Sequence, residues 1–305
     1  MRLSHTISGG RFYYVARKGD SFAALGSRYG VDARLLARSN CRTVGSRLRA
    51  GDGLWIDNRH IVPANIDDGI LINVPQRMLF VLSASRLIGA YPVSVGRPGW
   101  RTPRGEFTVV EKRKNPVWRV PVSIQAEMAA EGKRVRTRVP PGPDNPLGKH
   151  WVGLSLDSVG CHGTIAPLSV YHFRTHGCIR LHPDDAADLY AQVEVGTPGE
   201  IIYEPVLMAR GPDGRIFVEA NPDPYGLRPR MVGELEALAD SDGFGNMVDW
   251  PAVRAALELR DGLARDVSYG RICWWDVLPM GWREIGPLWS GEEPFIAGSC
   301  SKSRR

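Results

Sequence analysis

The sequence predicts a mainly β protein: a β-sandwich-like central domain with few helices, preceded by a small βααβ module and followed by a partly helical C-terminal extension. Three observations predict it. Short runs rich in β-branched and aromatic residues, separated by tight polar turns, dominate residues 69–205, a pattern of a sandwich or a barrel-like core. The first sixty residues place two cap-and-stop helix signals between two strand-like runs. Beyond residue 205 the pattern changes to one hairpin and two helical stretches. The implied organisation is a module at 12–58, a linker at 59–68, the central domain at 69–205, an extension at 206–297 and a disordered tail at 298–305.

Phe12-Tyr13-Tyr14-Val15 reads as a strand. Gly19-Asp20-Ser21 supplies a turn and an N-cap for a helix holding Phe22, Leu25 and Tyr29, which Gly30 ends. Asp32 caps a second helix with Leu35 and Leu36, closed by Asn40, and Leu48-Arg49-Ala50-Gly51-Asp52 turns into the strand Leu54-Trp55-Ile56. After the linker, with Pro63 and Asn65, strands are expected at 70–74, 78–82 and 87–95, with turns at Pro75-Gln76-Arg77 and 83–86. A Gly/Pro-rich loop at 96–105 precedes the strand 106–111, and further strands follow at 151–156 and 199–206. Between the last two, Pro183 with Asp184 and Asp185 opens a helix whose apolar stripe is Ala186, Leu189, Tyr190 and Val193. A hairpin at 210–220 turns at Pro212-Asp213-Gly214, and helices are expected near 231–239 and 251–264. Residues 112–149 are strongly basic and turn-rich, and read as a lid, a binding loop or a solvated basic loop between strands.

The chain has 305 residues and a formal charge of +6, with a pI near 9.2. That balance suits an anionic partner, yet no nucleic-acid-binding motif is present, so no nucleic acid is expected. No apolar run reaches eighteen residues, which excludes a membrane-spanning helix, and the first eleven residues lack the h-region of a signal peptide. Cys41, Cys161, Cys178, Cys273 and Cys300 are odd in number and scattered, so at least one thiol stays unpaired.

The chemistry concentrates in Thr175-His176-Gly177-Cys178-Ile179-Arg180-Leu181, with His162-Gly163-Thr164 sixteen residues before Cys178. A thiol between histidines and beside an arginine suits nucleophilic attack, because imidazolium or guanidinium charge favours the reactive thiolate. His162 and His176 are both candidates for proton carrier. If 176–178 is extended, His176 and Cys178 face the same side. Gly177 allows close approach, and the amides flanking it are candidate oxyanion donors. Arg180 assists thiolate formation, holds a substrate carboxylate or makes a structural ion pair. Cys161, beside His162, forms a regulatory disulfide with Cys178 if their geometry permits, and is otherwise a buried inert thiol.

Two resemblances extend this reading. Tyr14-Val15, Gly19-Asp20-Ser21, Tyr29-Gly30-Val31, Asn40 and the 48–52 turn resemble a LysM domain, which implies binding of N-acetylglucosamine polymers such as peptidoglycan. His162-Gly163-Thr164, the 175–181 motif and Asp185 resemble the YkuD-type L,D-transpeptidase catalytic domain. Val95-Gly96-Arg97-Pro98-Gly99, Thr102-Pro103-Arg104-Gly105-Glu106-Phe107 and Asn145-Pro146-Leu147-Gly148 extend the match. That resemblance implies Cys178 as nucleophile and His162 as proton carrier, with the Gly163 carbonyl orienting the imidazole. It assigns Thr175, His176, Gly177, Gly163 and Arg180 to substrate or oxyanion binding. It implies a role in cell wall biogenesis and cell shape, and a carbapenem-sensitive thiol that forms a thioester with a tetrapeptide stem and releases D-alanine. An amine acceptor then gives a cross-link or attaches a wall protein, and water gives an L,D-carboxypeptidase. The expected partners are peptidoglycan stem peptides and glycan, the expected state is a monomer without metal or organic cofactor, and the expected location is the periplasm or cell envelope. The competing classes are a zinc site drawn from Cys161, His162, His172, His176, Cys178 and His182, a non-catalytic wall-binding protein, and a thiol peptidase of another fold.

Overall fold

The computed structural model describes residues 2–228 and 232–270. The expected tail at 298–305, Cys273 and Cys300 lie outside these residues. At the N-terminus, β1 (Ile7–Ser8) precedes a unit of β2 (Arg11–Val15), α1 (Phe22–Tyr29), α2 (Ala33–Ser39) and β3 (Gly53–Asp57), in which β2 and β3 pair antiparallel. Local chemistry sets the helix ends. Ser21 accepts from the Ala24 N–H at 3.1 Å, Asp32 accepts from Arg34 and Leu35, and Gly30 stops α1 in the left-handed conformation at φ 69°. The Asn40 amide bonds Leu36 and Trp55, tying the end of α2 to β3. Phe22, Leu25, Leu36, Leu54 and Ile56 make a small separate core.

β4 (His60–Ile61) pairs with β1 and leads into the central sheet. Its strands are β5 (Gly69–Asn73), β6 (Met78–Ser83), β7 (Arg86–Gly96) and β8 (Gly105–Lys114). After the insertion with β9 (Trp118–Arg119), α3 (Val122–Ala130) and β10 (Arg138–Val139) come β11 (His150–Leu154), β12 (Gly160–His162), β13 (Phe173–Thr175) and β14 (Ile179–Leu181). Helix α4 (Pro183–Gln192) then returns the chain to β15 (Pro198–Ile202). The order is β13-β7-β14-β12-β11-β8-β15-β5-β6, and β6 also pairs with β7. Of the sandwich and the barrel-like core that the strand pattern allows, the sheet adopts the barrel-like one, and the sandwich is corrected. The reason is the length of β7 and β8. The first part of β7 pairs with β6 and its last residues with β14 and β13, while β8 pairs first with β15 and then with β11. Each strand thus turns a corner that two separate sheets would leave open.

Alternation fills both faces of β5: Ile70 and Ile72 belong to the enclosed core, and Leu71 packs outside with Phe80 and Val170. The β6–β7 turn places Ala84 and Ser85 at positive φ, a conformation costly for residues with a Cβ. Asp68 accepts from the Ala84 N–H at 2.7 Å and Asp67 from the Ser85 hydroxyl at 2.7 Å, which holds the turn without glycine. On α4, Ala186 and Leu189 are buried against the enclosed core, as is Val193 just past its end.

Three expectations need correction. The basic stretch 112–149 is not a plain loop, because β8 extends to Lys114 and the insertion carries α3. Strands β12, β13 and β14 were not expected as such, being only three residues long. In the extension, β16 (Val206–Arg210) and β17 (Ile216–Ala220) form the hairpin, followed by α5 (Val232–Ser241) and α6 (Trp250–Leu259). Helix α6 ends at Arg260 with φ 44°, so the end of the expected 251–264 helix becomes the start of β18 (Ala264–Asp266), paired with β17. Ser4 bridges to Ala209, joining the N-terminus to this sheet.

Candidate active site

Strand register assembles the site. β12 and β14 pair in parallel, with Cys161 opposite Ile179 and His162 opposite Arg180. Cys161 and Ile179 point into the enclosed core, so His162 and Arg180 share the outer face. Cys178, just before β14, is half-buried and places its Sγ 3.5 Å from the Ser158 carbonyl oxygen. His162 is 5% exposed. Its Nδ1 donates to the Gly163 carbonyl at 2.6 Å, which leaves Nε2 as the nitrogen with the lone pair.

The electrostatics favour neutral groups at rest. Burial pushes His162 down to about 4, and the charge of Arg180 adds to the effect against the opposing pull of the Gly163 carbonyl. Burial also raises the Cys178 thiol, while the Gly160 N–H and Arg180 pull it back toward the thiolate. Arg180 thus acts on both groups. Its Nη1 donates to Ser169 Oγ at 2.9 Å, its buried Nε has no hydrogen-bond partner, and among the described residues no carboxylate pairs with it. The structural ion pair considered for Arg180 is absent among the described residues.

The motif segment is not extended. Gly177 has φ +111°, a region that disfavours any residue with a Cβ, and it separates the two side chains expected on one side. His176 turns to the insertion, where its Nε2 lies 2.5 Å from Glu127 of α3 and its ring meets Trp100 edge-on at 4.9 Å. Glu127 also bonds Arg97, and these two contacts hold its carboxyl below the usual range. Thr175 Oγ1 donates to the Cys178 carbonyl at 2.6 Å and fixes the turn from inside.

Cys161 and Cys178 are both free thiols. Cys161 is 1% exposed, packed in the core with Val152 and Ile179, and burial raises its thiol. Strand alternation turns Cys161 away from the face that carries His162 and Arg180, which disfavours the disulfide considered for it. Among the described residues no group of three His, Cys, Asp or Glu side chains is disposed to hold a metal ion.

Sequence reasoning missed Trp151 and Glu127. Trp151 stands opposite His162 on β11 and stacks on its ring at 6.0 Å, with Nε1 donating to Glu111 at 2.7 Å. A Cβ at Gly160 would come within 2.5 Å of that indole, so the glycine makes room for it. The signal available was Gly153 and Gly160, two strand glycines that mark a close approach.

A thiol and a neutral imidazole flanked by a half-buried guanidinium make this chemically a thiol–imidazole site. A family model for the L,D-transpeptidase catalytic domain (YkuD) matches residues 67–201. The chain is 30% identical over 260 residues to the probable L,D-transpeptidase ErfK/SrfK of Salmonella typhimurium, covering 83% of each. It is 29% identical over 279 residues to the probable L,D-transpeptidase YcfS of Escherichia coli, covering 87% of this chain and 85% of that one. A solved L,D-transpeptidase from Mycobacterium smegmatis aligns with 66% of this chain and 98% of its own, at 19% identity and a TM-score of 0.37. The chain belongs to the L,D-transpeptidase family and is an enzyme of that class.

Proposed function

We propose that the protein remodels peptidoglycan through Cys178. In this reading His162 Nε2 takes the thiol proton as Sγ attacks the carbonyl of the third residue of a tetrapeptide stem. The carbonyl π pair moves to oxygen, stabilised by the Cys178 N–H, since the Gly177 N–H is held by Thr175 Oγ1 at 3.3 Å. Collapse breaks the peptide bond to the terminal D-alanine, whose nitrogen recovers the proton from His162, and leaves a thioester on Sγ. An incoming amine then gives its proton to His162 as its nitrogen displaces the sulfur. A second stem gives a cross-link, a protein amine gives attachment, and water gives an L,D-carboxypeptidase.

The observation that carries this reading is the shared face of β12 and β14, where one half-buried cation acts on both Cys178 and His162. The unpartnered Nε of Arg180 suits a stem-peptide carboxylate. The βααβ unit, read as a LysM-like module, serves to hold glycan, and the site of action proposed is the cell envelope. The test is mass spectrometry after incubation with a disaccharide tetrapeptide or a carbapenem. An adduct on Cys178 is expected, absent in Cys178→Ala and slowed at least about 100-fold in His162→Ala, since nucleophile and base act as one unit. An adduct elsewhere, or none, sinks the proposal.

A further inference from the structure

The peptide that joins Gly177 to Cys178 is held from an unexpected direction. Its carbonyl accepts a hydrogen bond from Thr102 Oγ1 at 2.9 Å, and the same Oγ1 accepts from the Gly96 N–H at 2.8 Å. Thr102 is in turn fixed by Tyr225, which lies outside the residues matched by the family model, in the C-terminal extension. The Tyr225 hydroxyl donates to the Gly96 carbonyl at 2.8 Å and accepts from the Thr102 N–H at 3.1 Å. One phenol therefore closes the 96–102 turn from both ends. Tyr225 is itself anchored: its N–H donates to Tyr203 Oη at 2.9 Å, its ring stacks on Tyr203 at 5.2 Å, and the Tyr203 hydroxyl donates to Asp223. Arg101 lies over the Tyr225 ring at 5.3 Å. Tyr225, Thr102 and Thr175 are all nearly inaccessible, at 6%, 2% and 2% exposure.

We infer that Tyr225 is a positioning residue for acylation, acting through Thr102 to aim the Cys178 N–H at the oxygen of the attacked carbonyl. The physical reason is the rigidity of the peptide unit. Gly177 C=O and Cys178 N–H lie in one plane, so fixing the carbonyl fixes the direction of the N–H. A carbonyl that accepts a hydrogen bond also polarises its peptide and strengthens the N–H as a donor. When the substrate carbonyl becomes an oxyanion, this donor is already in place and needs no reorganisation. Gly177 itself has too much conformational freedom to supply that constraint. Tyr225 thus gives the C-terminal extension a part in the chemistry without touching substrate.

The inference rests on the acyl-transfer reading, and its test separates the two. Two reagents are compared on the folded full-length protein. A carbapenem acylates Cys178 through a tetrahedral oxyanion, whereas iodoacetamide alkylates the thiolate by displacement and needs no oxyanion donor. Tyr225→Phe keeps the ring and its stacking but removes the hydroxyl, leaving two buried backbone groups unpaired. Its carbapenem acylation rate is expected to fall about 10- to 100-fold, with iodoacetamide alkylation within about 2-fold of wild type and with the same pH midpoint. Thr102→Val should show the same split, Thr102→Ser should stay close to wild type, and the double variant Tyr225→Phe/Thr102→Val should be no slower than the slower single one. Should Tyr225→Phe lose cooperative unfolding, Thr102→Val against Thr102→Ser decides the matter alone. Equal acylation by wild type and the folded variants overturns the inference, as does a proportional fall in both reactions. A wild-type protein that the carbapenem leaves unmodified overturns the acyl-transfer reading, and this inference with it.

Discussion

At the scale of single residues, burial sets the resting state. It raises the Cys178 thiol and lowers His162 to about 4, so at neutral pH the pair is thiol and imidazole rather than thiolate and imidazolium. In the proposed reaction proton transfer therefore accompanies attack, with Arg180 easing the negative charge on sulfur. The same burial makes stability depend on pH. The unfolded chain binds a proton at a histidine near pH 6.5, and the native protein resists it until about 4. Between those values the unfolded state holds more protons, so unfolding becomes easier as pH falls. Urea denaturation should show about 2 kcal/mol less stability at pH 5 than at pH 7 from this residue alone. His162→Gln, which cannot titrate, should reduce the pH dependence by that amount. An identical pH dependence in the two proteins would show that His162 is not held neutral.

At the scale of elements, the insertion behaves as a tethered arm. Helix α3 buries no side chain, and Val122 is 80% exposed, so apolar packing does little to hold it. Its Glu127 carboxylate reaches Arg97 and His176 at the edge of the site. Exposed ion pairs add little to global stability, so Glu127→Gln should leave the thermal midpoint within about 2 °C of wild type. Local opening is another matter. Trypsin cleavage within the exposed stretch that includes Lys133, Arg134 and Arg136 should quicken at least about 3-fold, because local unfolding draws on local contacts. Unchanged cleavage would mean that the arm is held by something other than this carboxylate.

Such contacts explain what the sequence concealed. The residues of the 175–181 motif and of His162-Gly163-Thr164 were legible because they are close in the chain and chemically unusual. Hairpins were legible where alternation met a polar turn, as at Pro75-Gln76-Arg77. Helix α3 was hidden by its Pro121 N-cap, which makes no side-chain hydrogen bond, and by its lack of a buried face. Barrel closure depends on two long strands each serving two neighbours, which no local pattern records. Trp151, Glu127 and Tyr225 reach the site only through tertiary pairing.

At the scale of the molecule, one buried carboxylate joins three parts of the chain. Glu219 on β17 is fully buried. It accepts from the Ile61 N–H at 2.7 Å, from Gln76 of the barrel at 2.8 Å and from Asn221 at 3.1 Å, and lies 3.0 Å from His60 Nδ1. The other nitrogen of His60 meets the Gly30 carbonyl of the βααβ unit at 2.8 Å. The extension, the barrel and the N-terminal unit, each with an apolar core of its own, therefore meet at one polar point. Separate cores of this kind can unfold separately unless the junction couples them. Glu219→Ala removes the acceptor and leaves several donors stranded where water does not reach. The expected cost is about 3–5 kcal/mol, the loss seen when one partner of a buried polar pair is deleted. Urea unfolding followed by tryptophan fluorescence and far-ultraviolet circular dichroism should give coincident transitions in the wild type and separated ones in the variant. Coincident transitions at an unchanged midpoint in Glu219→Ala would show that the cores are coupled elsewhere and that the carboxylate is dispensable.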